Sequence, residues 1–205
     1  MKKIDLSTWS RKAQYNFFKD YKDPYFNICS DIKCTTSYLK SKEKGDSFFI
    51  TYMHNALKAL NEISEFKTRI IEDEVFEFPI INGTTTVFKD DETFSFCYFR
   101  YHENFEKFKY ETHKAIQDAK KSNELISNTD IDLIYVSVIP WRSFTSIKHP
   151  VSNQKSNSVP KIVFGKVFKQ NGEFYMPISV DAHHSLVDGY HISNFYNRLE
   201  NLLNQ

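Results

Sequence analysis

The stretch Phe174-Tyr175-Met176-Pro177-Ile178-Ser179-Val180-Asp181-Ala182-His183-His184-Ser185-Leu186-Val187-Asp188-Gly189-Tyr190-His191-Ile192 changes hydrophobic period part-way along its length. Phe174, Met176, Ile178 and Val180 recur at period two, as in a strand with one face buried. Beyond the turn, Ile192, Phe195, Tyr196, Leu199, Leu202 and Leu203 recur at the 3.6-residue spacing of an amphipathic helix. A histidine pair therefore closes a strand, and Asp188-Gly189 opens a helix. Strand ends are common positions for chemistry, and neutral imidazole, with a reference pKa of roughly 6.5, accepts a proton at neutral pH. The residues alone also allow a plainer reading, with His183-His184 as a polar strand end and Asp188 as the N-cap of the last helix.

Working outward, Gln170-Asn171-Gly172 is a hairpin signal between strand-like Lys161–Phe168 and Phe174–Val180. Ile131–Ile139, rich in branched residues, reads as a buried strand, and Tyr25–Thr35, Val75–Ile80, Thr84–Phe88 and Thr93–Arg100 as further strands. Helical spacing predicts a short helix around Thr8–Asp20 and longer ones from Ser47 to Glu62 and over Glu103–Lys121. Strands interspersed with helices, together with a hairpin, predict an α/β fold: a two-layer mixed β-sheet covered by helices. At 205 residues the chain is expected to form a single domain over 1–205, and its 19 Phe and 12 Tyr supply a core despite 26 % charged residues.

Composition narrows the function. A formal net charge of +1 leaves no global footprint for nucleic acid. The apolar runs fall short of the roughly 20 residues of a membrane span. Met1 to Trp9 lacks an apolar signal core, so a cytoplasmic protein is expected. Cys29, Cys34 and Cys97 are odd in number and lack metal-ligand spacing, so free thiols and no metal are expected.

His183 through His191 resembles the signature H-H-x-x-x-D-G-[FY]-H of the chloramphenicol acetyltransferase family. Its His-x-x-x-Asp-Gly core also recurs in 2-oxo-acid dehydrogenase acyltransferases. Other segments resemble the family in the same order: Trp9-Ser10-Arg11-Lys12, Ser64-Glu65-Phe66-Lys67, Thr86-Val87-Phe88 with Glu92-Thr93-Phe94-Ser95, and Val136-Ser137-Val138-Ile139-Pro140-Trp141. The resemblance implies acetyl transfer from acetyl-CoA, as co-substrate, to a hydroxyl of chloramphenicol without a covalent acyl-enzyme. It implies that His184 is the general base, its other ring nitrogen bonded to its own carbonyl, and that Ser137 stabilises the oxyanion. Asp188 would pair with Arg11 rather than serve as a triad member, and Gly189 would let the chain turn into the helix. His183, on the opposite side of the strand from His184, is expected to be structural. Phe17, Phe18 and Val163 are expected at the acceptor, Lys166 near the CoA phosphates, and Trp141 and Phe144 as packing and pocket wall. The resemblance further implies a homotrimer with sites between subunits.

Several positions depart from the family pattern. Asp181 stands where the family has Gln, Val163 where it has Thr, and Val167 where it has an aromatic residue. Ser47-Phe48 replaces a basic entry to the first long helix. Two alternatives therefore stay open: the same fold acting on another hydroxylated acceptor, or a non-catalytic small-molecule-binding trimer.

Overall fold

The computed structural model describes residues 1–122, 124, 125, 130–150 and 158–205. Its centre is a mixed sheet of β2 (Tyr25–Lys33), β10 (Glu173–His183), β8 (Lys161–Gly165), β7 (Leu133–Ile139), β5 (Asn82–Phe88) and β6 (Phe94–Phe99), in that order, with β9 (Phe168–Gln170) pairing the start of β10. β7 runs parallel to both β5 and β8, and the other pairings are antiparallel. The β9–β10 hairpin turns at Asn171 (φ 49°) and Gly172 (φ 86°), the left-handed pair that an Asn-Gly turn favours.

One face of the sheet carries the core. Ile178, Val180, Ala182, Ile162, Phe164 and Ile134 are fully buried there. They pack with α3 (Phe48–Asn61) and α5 (Gly189–Leu203), both of which present an apolar stripe. Each large side chain buried this way contributes about 1.5–3 kcal/mol relative to exposure. α4 (Phe105–Lys121) lies against β6 and begins where Asn104 accepts a hydrogen bond from the Lys107 amide at 2.9 Å.

Three features differ from the sequence expectation. The first helix is shorter, α1 (Lys12–Phe18), and α2 (Thr35–Lys44) follows β2 with Ser37 and Ser41 rather than apolar residues as its buried face. A second, three-stranded sheet forms from β1 (Lys2–Lys3), β4 (Glu74–Glu77) and β3 (Thr68–Ile71). The fully buried Arg69 ties this small sheet to the large one, its guanidinium donating to the carbonyls of Phe66, Thr68, Ile131 and Leu133.

Candidate active site

β10 ends at His183, and the following turn closes where the His183 carbonyl accepts the amides of Leu186 (2.9 Å) and Val187 (3.0 Å). The His184 amide donates to the Pro24 carbonyl at 2.9 Å, which pins the turn to the entry of β2. Strand alternation sends the paired histidines to opposite sides. His183 is buried, edge-on to Tyr25, and its Nδ1 accepts the Ser185 amide at 3.3 Å. Burial, with the neighbouring His184 charge as a smaller cause, pushes the His183 pKa down to about 4, so its ring is neutral at pH 7.

His184 occupies an aromatic slot. Phe18 at the end of α1 stacks on the imidazole at 4.1 Å between centroids, 9° from parallel, and Phe26 of β2 lies 4.4 Å away. Nδ1 lies 3.2 Å from the Val187 carbonyl and 3.3 Å from Asp188 Oδ1. Both neighbours are acceptors, so the ring proton belongs on Nδ1 and Nε2 carries the free lone pair. This partner differs from the residue's own carbonyl that was expected, but the tautomer is equally fixed.

Asp188 is the N-cap residue of α5, with extended backbone, and also the partner of Arg11. The guanidinium donates to its two carboxylate oxygens, 2.5 Å from Nη1 to Oδ2 and 3.0 Å from Nη2 to Oδ1. Arg11 lies just before α1 and is buried, so the pair joins the two ends of the chain. The Arg11 contact, above all, holds the Asp188 carboxyl below the usual carboxylate range. Asp188 therefore fills both roles left open by the sequence, helix cap and Arg11 partner, and also lies against His184. Gly189 does not need to be glycine: its φ lies outside the left-handed region, and a Cβ there would meet only Ile28 Cδ1, at 3.7 Å. The turn role expected for it has no conformational basis.

The structure gathers His184, Asp188, Gly189, Arg11 and Phe18 but leaves Ser137, Val163 and Lys166 elsewhere. Phe17 is 63 % exposed beside Phe18. Ser137 is the register partner of Val163, which pairs across to Ser179. Two strand spacings and the five positions from Ser179 to His184 place the Ser137 and His184 Cα atoms about 19 Å apart. Val163, expected to line the acceptor pocket, is fully buried between Ser137 and Ser179, so this chain offers no open surface at its side chain. Lys166 is exposed, its amide donating to the Arg142 carbonyl. Trp141, expected as packing, is 59 % exposed with only an edge contact to Phe88 among the described rings. Asp181 does not approach His184: it lies on the His183 side of β10, bonded to the Asn27 amide. There it helps line a cavity of about 290 Å³ with Tyr25, Phe26, Asn27, His149 and Lys161. Three residues around His184 and its turn had no functional assignment from the sequence, namely Phe26, Glu65 and His191, although the last two lie within the quoted motifs.

The three cysteines are free, and burial raises the Cys34 and Cys97 thiols to about 12. Among the described residues no three His, Cys, Asp or Glu side chains converge as a metal site, and no helix is long and apolar enough to cross a membrane.

A helix-backed mixed sheet that presents a His-x-x-x-Asp-Gly turn at a strand end defines the class of CoA-dependent acyltransferases. The fold is shared with the dihydrolipoamide acetyltransferase of Azotobacter vinelandii, at a TM-score of 0.68 and 13 % identity over 95 % of this chain and 86 % of that one. A solved chloramphenicol acetyltransferase is far more similar: TM-score 0.93 and 31 % identity, covering 98 % of this chain and 99 % of the other. The family model described as chloramphenicol acetyltransferase matches residues 1–200. Chloramphenicol acetyltransferases of Clostridium perfringens (30 % identity, 97 % of this chain and 93 % of that protein) and Staphylococcus aureus (28 %, 98 % and 94 %) are similar along most of their lengths. The chain belongs to the chloramphenicol acetyltransferase family.

Proposed function

We propose that this single-domain protein transfers acetyl from acetyl-CoA to a hydroxyl of chloramphenicol in the cytoplasm, in homotrimers whose sites lie between subunits. The observation that carries the chemistry is the state of His184, with Nδ1 committed to Val187 and Asp188 and the ring flat on Phe18. That leaves Nε2 to take the acceptor's hydroxyl proton as its oxygen attacks the thioester carbonyl. The Ser137 hydroxyl donates to the oxyanion of the tetrahedral intermediate. When that intermediate collapses, the C–S bond breaks and the imidazolium returns its proton to the departing CoA thiolate. Net, an ester and a free thiol form, with His184 regenerated.

The separation of about 19 Å between Ser137 and His184 supports the shared site, because no single chain brings both to one thioester. Phe88, Phe94 and Trp141, each about half exposed, stand at the far end of the sheet from β2, where a second copy would cover them. Lys166 supplies positive charge for the CoA phosphates. The mixed charge of Asp181 and Lys161 in the cavity beside Phe26 favours one second reading, the same transfer to a different hydroxylated acceptor. Release of free thiol from acetyl-CoA separates the two, with chloramphenicol as one acceptor and a panel of other alcohols. His184→Ala should lose about 10²–10⁴-fold in turnover with little change in acceptor affinity. Comparable turnover in variant and parent removes His184 from the mechanism.

A further inference from the structure

The contact between Asp188 and the base is set by a backbone position, and that position has its own anchor. The Asp188 amide donates to Nδ1 of His191, one turn into α5, at 2.9 Å. A nitrogen that accepts carries no hydrogen, so neutral His191 holds its proton on Nε2. Nε2 faces Glu65 Oε1 at 3.4 Å, and the His191 contact is the first cause of a Glu65 carboxyl held below its usual range. Glu65 comes from the 3-10 turn Ser64–Lys67, which packs on α3. A continuous line of polar contacts therefore runs from Glu65 through the His191 ring to the Asp188 peptide. From the Asp188 carboxylate it forks to Arg11 and to His184 Nδ1.

From this line of contacts we infer that His191, oriented by Glu65, is a positioning residue for the acetyl transfer. It fixes the Val187–Asp188 peptide, whose carbonyl accepts the His184 Nδ1 proton at 3.2 Å and beside which the Asp188 carboxylate lies 3.3 Å from the same nitrogen. The bare Nδ1 of His191 is the critical atom. If the ring flips or is replaced, the amide loses its acceptor and the N-cap residue can rotate. Arg11 bonds only the carboxylate oxygens and leaves the peptide itself unheld. The inference rests on His184 being the base.

The test uses the full chain and four variants. His191→Phe keeps a ring but removes both nitrogens. His191→Asn places an amide oxygen near the Nδ1 position, and Glu65→Leu removes the orienting carboxylate from outside the turn. His184→Ala reports on the underlying reading. With acetyl-CoA and chloramphenicol, His191→Phe should lower kcat roughly tenfold, the upper range of one ordinary hydrogen bond, with both KM values within about twofold. Glu65→Leu should lose less, and His191→Asn should recover most of the loss. The side-chain ¹⁵N spectrum of His184 should change from one tautomer in the parent to a mixture in His191→Phe. If His191→Phe misfolds, Glu65→Leu and His191→Asn carry the same comparison. Equal kcat in the parent and in both His191→Phe and Glu65→Leu overturns the inference, as does a His191→Asn variant no better than His191→Phe. A fully active His184→Ala instead overturns the base assignment, which is a separate result.

Discussion

Removing Asp188 strands a charge, and the structure gives the scale of the cost. The Arg11 side chain is 10 % exposed and the Asp188 side chain 32 %. Breaking a fully buried ion pair costs about 3–5 kcal/mol and an exposed one about 0–1. With one partner buried and the other partly wet, Asp188→Ala should cost about 2–3 kcal/mol, since Arg11 keeps its charge without a carboxylate and its Nε already has no partner among the described residues. Arg11→Ala should cost less, because the Asp188 carboxylate can turn to water. The double variant should be milder than the sum of the singles by about 1–2 kcal/mol. Urea unfolding followed by fluorescence of Trp9 and Trp141, at one fixed protein concentration, measures all three. The same pair gives a pH signature. Arg11 lowers the Asp188 pKa in the folded state, so the unfolded chain binds the proton more readily. The stabilisation is present above the ordinary carboxylate range and is lost as pH falls through the folded value. Asp188→Asn should flatten that acid limb. Additive single effects, or an unchanged acid limb, would refute the account of this pair.

His183 makes a second pH prediction. Its folded pKa of about 4 lies below the unfolded value of about 6.5, so its contribution is complete above that unfolded value and is lost as pH falls toward 4. His183→Gln should reduce the slope of stability against pH in that window, by up to about 1.4 kcal/mol per unit, in the same urea titration. Gly189→Ala should leave the unfolding free energy within about 0.5 kcal/mol of the parent in the same urea titration, since its backbone suits any residue and the added methyl only touches Ile28. A loss of about 2 kcal/mol would mean the turn does need glycine.

How much of this was legible depended on whether the sequence carried a local cause. The β9–β10 hairpin was readable because Asn171-Gly172 are the residues that tolerate two positive φ angles. The β3–β4 hairpin turns the same way at Glu72 (φ 50°) and Asp73 (φ 64°), residues that announce nothing. Its support is tertiary, from the Tyr15 hydroxyl donating to the Asp73 carbonyl at 2.7 Å. α2 was missed because its buried side chains are serines, so no apolar period marks it. At the site, no spacing argument could pair Arg11 with Asp188 across nearly the whole chain, and only the motif resemblance did so. Phe26 and the Glu65–His191 contact were invisible for the same reason: each arises from segments that only the fold brings together. The full burial of Val163 was not readable either, because strand position does not reveal whether a sheet face is open.

The central claim is that one reaction centre takes His184 from one chain and Ser137 from another. His184→Ala and Ser137→Ala chains, each inactive alone, can be unfolded, mixed in equal amounts, refolded together and assayed with acetyl-CoA and chloramphenicol. In a closed ring of three, every mixed trimer contains one site with both residues intact, so random mixing should restore about a quarter of the parent's activity. No recovery from an efficiently refolded mixture would contradict the claim and place both residues, or neither, in a site within one chain.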